Sequence, residues 1–146
     1  MKPMLSKTAT PEEKETLISR ITTVLQAERP VIIAYLYGSF TGAESFRDLD
    51  VAVYLDSDTL RNTSQMFEYA LTLGTELDIE ISEVIVDLVP LNLAPLPFAF
   101  AVLSRGRLLF SRDEQERVKY EARTRSLYFD FLPHLRFYYK SIVLGD

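Results

Sequence analysis

The chain reads as one α/β domain over residues 1–146, in the α+β sense of a short sheet flanked by helices, and three features predict it. Two apolar runs, Val31 to Tyr37 and Asp48 to Leu55, are rich in β-branched and aromatic residues and are joined by a small-residue turn at Gly38-Ser39. A third β-branched run follows Ser82. Segments of helical periodicity lie before, between and after these runs, and the last of them is long. At 146 residues the chain has room for one real core and is too short for two comfortable ones.

Taken in order, residues 1–9 are polar and predict a frayed end. Thr10-Pro11-Glu12-Glu13 supplies an N-cap, a proline at the first helical position and a glutamate at the third, so a helix starts here and runs to about Ala27. Its stripe of Leu17, Ile18, Ile21, Val24 and Leu25 packs on the sheet. After the second strand, Asp56-Ser57-Asp58 offers cap chemistry for another helix, whose apolar face is Leu60, Met66, Phe67, Ala70, Leu71 and Leu77, with Gly74 ending or loosening it. Val84 to Val89, closed by Pro90, predicts a buried strand with Asp87 in its middle. Asn92 to Pro97 is a proline-rich connector. Phe98 to Leu103 is a short apolar helix that ends at Arg105-Gly106, where glycine suits a left-handed cap. Arg107 to Phe110 is a short strand, and Asp113 with Glu116 opens the last helix. There Leu127, Phe131, Leu135, Tyr138 and Ile142 keep a helical spacing, with a break or kink near Pro133. Tyr128, Phe129, Phe137 and Tyr139 add more aromatic surface than one core stripe needs, which leaves a thick core or an exposed contact surface for homo- or hetero-oligomers.

Composition narrows the chemistry. The net charge is -5 with the acids spread along the chain, so long nucleic acid is a poor partner. No apolar run is long enough to span a bilayer and no signal-peptide pattern follows Met1, so no membrane association is expected and the cytoplasm is the simplest location. Cysteine is absent and His134 is the one histidine, which removes thiol chemistry and Cys/His zinc sites. Carboxylates and hydroxyls must carry whatever chemistry there is.

Two neighbouring features fit that requirement. At Gly38-Ser39 the strand ends abruptly in a turn that can present backbone N–H groups to an anion. Asp48 and Asp50 alternate with Leu49 and Val51, so both carboxylates share one face of the second strand, roughly 6.5–7 Å apart at Cβ, where they can converge on a hard cation. Asp87, flanked by Val86 and Leu88, is costly to bury as a charge unless a cation, a donor network or an open sheet edge compensates it.

These residues resemble the minimal nucleotidyltransferases of the polymerase-β type. That family's mark is a Gly-Ser turn, here Gly38-Ser39, then Asp-x-Asp on the next strand, here Asp48-Leu49-Asp50, and a third acid on a later strand, here Asp87. Gly42 stands where the family usually keeps a second glycine. Eight residues separate Gly-Ser from Asp-x-Asp where family members mostly have ten, and Arg47 takes the place of a common serine. The resemblance implies a small nucleotidyltransferase fold, with a short mixed β-sheet flanked by helices and a long C-terminal helix. It also implies that Asp48, Asp50 and Asp87 are the catalytic, metal-binding carboxylates for Mg²⁺, two ions in all, and that Gly38 and Ser39 bind the nucleotide; Arg47, beside the carboxylates, is placed either to bind the triphosphate or to take the cation's place.

Stand-alone domains of this size resemble the antitoxin of toxin-antitoxin pairs whose toxin is a HEPN ribonuclease. That likeness implies an ATP-using adenylyltransferase that modifies a tyrosine of the HEPN-type toxin partner. Two alternatives stand beside it. One is an inactive antitoxin that works by binding alone, with the Arg47 guanidinium in the cation's place. The other is a transferase for a small molecule of the aminoglycoside type.

Overall fold

The computed structural model describes residues 10–38 and 48–144. Helix α1, Pro11–Gln26, starts as its sequence dictates: the Thr10 hydroxyl accepts from the Glu13 N–H at 3.1 Å and Pro11 occupies the first turn. Strands β1, Val31–Tyr37, and β2, Asp48–Leu55, pair antiparallel. Helix α2, Thr63–Glu80, then carries the chain to strand β3, Ile85–Pro90, which runs parallel to β2. A 3-10 turn at Leu91–Leu93, helix α3, Leu96–Arg105, strand β4, Arg107–Ser111, and helix α4, Glu114–Leu144, complete the order. The sheet is mixed, with strand order β3-β2-β1-β4.

Alternation along the two central strands gives the sheet two apolar faces. On one, Leu36, Val51 and Val53 pack with Ile21 and Leu25 of α1 and Leu73 of α2. On the other, Ile33, Tyr35 and Ala52 meet Ala99 and Val102 of α3 and Tyr120 of α4. Each fully buried aliphatic side chain contributes about 1.5–3 kcal/mol, so the central strands are the most firmly held part of the fold. Polar anchors fix α4 on its face. Tyr35 donates to Glu121 Oε1 at 2.7 Å, and the Tyr54 and Tyr120 rings lie 4.3 Å apart. Burial, and then the Glu121 carboxylate, push the Tyr35 phenol far above its ordinary range, so this donor keeps its proton. At the far end of β2, the Asn92 side chain accepts from the Leu55 N–H and donates to the Leu55 carbonyl, at 2.8 and 3.0 Å, and ties the 3-10 turn to the strand.

Several local expectations are corrected by this packing. Asn62, not Asp56, Ser57 or Asp58, caps α2, accepting from Gln65; Asp56 instead closes its own turn through Asp58 and Thr59. Leu73 is buried on α2, whereas Phe67 and Leu71 face outward. Gly74 lies inside the helix, where a Cβ would meet Leu88 at an ordinary 3.6 Å. Strand β3 is an edge of the sheet with alternating exposure, so Asp87 is exposed rather than enclosed. Helix α3 begins two residues before Phe98, within the supposed connector. Helix α4 continues through Pro133, and the exposed His134 lies on it.

Gly106 follows α3 with φ -76°, which is not left-handed, so its cap role is also corrected. Its reason is space. A Cβ there would fall 2.5 Å from the Val102 carbonyl oxygen and 2.9 Å from that of Leu36, both backbone atoms that cannot swing aside. Gly106→Ala is therefore expected to destabilise the fold by about 1–3 kcal/mol, as overpacking does. Urea denaturation would show it as a lower midpoint at unchanged slope.

Candidate active site

The end of β1 and the start of β2 and β3 bring the acids together. In the strand register Tyr37 stands opposite Asp50, and Asp50 stands opposite Asp87. Cross-strand partners share a face, so these three side chains form a row across three strands, on the face covered by α3. Asp48 is on the same face of β2, one pleat farther out, with Ile85 opposite it. Alternation puts the motif pair on one face of β2, and the parallel register of β3 sets Asp87 opposite Asp50 on that face, at one end of the sheet.

Gly38 borders the row. Its φ is +81°, a left-handed conformation that L side chains rarely adopt, and a Cβ there would lie 2.4 Å from Asp50 Oδ2. The glycine is needed twice over: for the turn itself and for the close approach of the backbone to the carboxylate. Ser39, Gly42 and Arg47 lie outside the described residues.

The electrostatics record the crowding. Burial raises the Asp50 carboxyl above its ordinary 3.8, and the charges of Asp87 and then Asp48 raise it further. Burial pushes the Tyr37 phenol up to about 12, again with help from Asp50 and Asp87. Tyr37 therefore remains an O–H donor at neutral pH, facing the acids, while its ring meets Phe98 edge to face at 5.2 Å. Its place at the site was not expected. The signal was its position as the last residue of the strand, but its partner follows only from the register, which the intervening loop does not specify.

The donor set fits a hard divalent cation. All three groups offer oxygen, Asp48 and Asp50 are partly exposed and Asp87 is open to solvent. Among the described residues, no three Asp, Glu, His or Cys side chains are grouped closely enough to hold a metal ion together. An ion such as Mg²⁺ does not require three, because it commonly uses one or two carboxylates and completes its shell with substrate phosphates and water. Asp50 and Asp87 are direct cross-strand partners, and Asp48 lies one pleat away on the same face.

Basic residues are not collected at this edge by the described part of the chain. Arg107 is held by Glu15 of α1 through two contacts of 2.6 and 3.1 Å, and Arg117 by Glu114 and Glu121 of its own helix. Lys119 and Arg105 are exposed. Among the described residues, no helix is long and apolar enough to cross a membrane.

Comparison with known proteins bears on the fold and the family. No curated protein matches the sequence. Among solved structures, the chain resembles one in the tri-AMPylated Shewanella oneidensis HEPN toxin in complex with MNT antitoxin, with a TM-score of 0.60 and 23% identity over 90% of this chain and 97% of that one. It resembles a chain of a toxin-antitoxin crystallised with AMP-PNP at a TM-score of 0.61 and 24% identity, over 88% and 96%. A chain of the toxin-antitoxin MntA-HepT gives 0.58 and 23%, over 90% and 97%. At such identities the shared property is the fold. Residues 19–115, which contain the whole acidic row and the glycine beside it, match the family described as Polymerase beta, Nucleotidyltransferase, and the chain belongs to that family.

Proposed function

We propose that the protein transfers AMP from ATP to a tyrosine hydroxyl of a HEPN-type toxin and thereby acts as its antitoxin. The observation that carries the chemistry is the Asp50–Asp87 register pair beside Gly38. Family membership supports nucleotidyl transfer, and the fold shared with chains of MNT–HEPN complexes, one with an AMPylated toxin and one with AMP-PNP, supports the acceptor and the nucleotide.

In this reading Asp48 and Asp50 would hold Mg²⁺, with Asp87 sharing in it. When bound, the metal supplies charge neutralisation at the phosphates and a more acidic acceptor hydroxyl. The chain's own residues do the rest. Gly38 and Ser39 hold the outer phosphates, Arg47 adds a guanidinium to them, and Tyr37 donates its O–H at the same edge. The acceptor oxygen attacks the α-phosphorus in line, the bond to the β-phosphate oxygen breaks, and pyrophosphate leaves. Asp87, the most open of the three acids, takes the hydroxyl proton.

A second reading is an antitoxin that neutralises its partner by contact alone. It is favoured by the eight-residue spacing and by Arg47, which directly precedes Asp48 in the sequence.

Intact-mass spectrometry separates the two. The product of the gene adjacent to this chain's own is incubated with the protein, ATP and Mg²⁺, beside an Asp48→Ala, Asp50→Ala double variant. An AMP-sized increment that vanishes in the variant is the expected result. A stable complex with no increment would establish contact as the mechanism.

A further inference from the structure

Helix α4 extends past everything that covers it among the described residues. Its 31 residues correspond to about 46 Å at 1.5 Å per residue. Near its start Tyr120 and Thr124 are buried, and Tyr128 stacks on Phe100 of α3 at 3.9 Å. The face that makes these contacts continues at helical spacing through Leu127, Phe131, Leu135, Tyr138 and Ile142, and among the described residues all of these but the half-buried Leu135 are exposed. Large apolar side chains also stand off this stripe on either side of it: Phe137 and Val143 are 74% and 76% exposed.

A helix lying on a surface needs one apolar stripe, and one that is apolar on several sides requires enclosure on several sides. Spanning a bilayer does not supply it here, since no helix among the described residues is long and apolar enough to cross one. Charge narrows the occupant further. Residues 123–140 carry Arg123, Arg125, Arg136 and Lys140 against the single acid Asp130, in a chain whose net charge is -5. Pairing with a second copy would bring two basic segments together and would cover only one side of each.

The geometry points to a helix-in-groove docking site on the C-terminal half of α4, occupied by the protein that accepts the nucleotide. That partner presents an apolar groove enclosing the helix on at least two sides, with carboxylates on its rim. The identity of the occupant rests on the proposed transfer to a protein; the enclosure and the rim charge rest on the helix alone. Tyr138 and Phe137 are the anchors, because large aromatics in a desolvated groove carry most of such an interface's energy.

The test is calorimetric binding of the adjacent gene's product to the full chain, with no nucleotide present. A Phe137→Glu, Tyr138→Glu variant is expected to bind roughly 100-fold more weakly or worse. An Arg136→Glu, Lys140→Glu variant should lose about tenfold and much of the salt dependence. All of these side chains are exposed, so circular dichroism should be unchanged. An Asp50→Asn control should bind normally, so that loss of transfer with binding intact marks a failure of the chemistry and not of the docking. No complex with the wild-type chain, binding indifferent to both variants, or a wild-type dimer in light scattering that the aromatic variant dissolves would each overturn the proposal.

Discussion

Asp50→Asn is expected to reduce AMP transfer by roughly 10³-fold or more while making the protein harder to melt. The loss of activity follows from the position of Asp50 at the centre of the acidic row, between Tyr37 and Asp87 and against Gly38. A neutral amide there keeps the shape but removes the charge that holds a cation on the triphosphate, and electrostatic groups of this kind account for much of the rate enhancement in phosphoryl-type transfers. The gain in stability follows from the sign of the Asp50 shift. Its carboxyl is raised above the ordinary 3.8 by burial and by Asp87 and Asp48. The folded state thus binds this proton more tightly than the unfolded chain. Stability is lost as pH rises from the unfolded value through the raised one, and the loss persists at neutral pH. The variant should therefore have the higher Tm at pH 7 in metal-free buffer, with the difference vanishing well below pH 3.8. Adding Mg²⁺ with ATP should raise the Tm of the wild type and not of the variant. A variant that melts lower at pH 7 would show that the acidic row is held by partners and not strained by repulsion.

Gly38→Ala is expected to be the most damaging single-methyl change in the site. At φ +81° an L residue costs about 1–2 kcal/mol, and the new Cβ would sit 2.4 Å from Asp50 Oδ2. Either the carboxylate turns away or the end of β1 moves. Misplacement of reacting groups by an ångström costs about 10²-fold, so transfer should fall by that order while the chain still folds. Urea denaturation would report the strain, and the ratio of transfer rates would report the misplacement. A variant with full activity would show that the close packing of Gly38 on Asp50 has no part in catalysis.

The sequence by itself determined most of the elements and the face that Asp48 and Asp50 share. Thr10-Pro11 started α1, the β-branched runs made β1 and β2, and alternation put Asp48 and Asp50 on one face, because each of these depends on local chain geometry alone. Elements whose limits depend on neighbours were less legible. Asn62 outcompeted the Asp56 cluster as a cap because Asp56 was already engaged in its own turn, and Gly106 proved to be a matter of crowding by Leu36 and Val102, not of dihedral freedom.

Tertiary structure alone decided the rest. The parallel register of β2 and β3 placed Asp87 beside Asp50, and the edge position of β3 left Asp87 exposed where a buried strand had been expected. The antiparallel register of β1 added Tyr37 to the row. Periodicity showed an apolar stripe on α4, but only the packing of α3 revealed where along the helix its cover ends. Register and cover are relations between distant segments, and no local propensity encodes them.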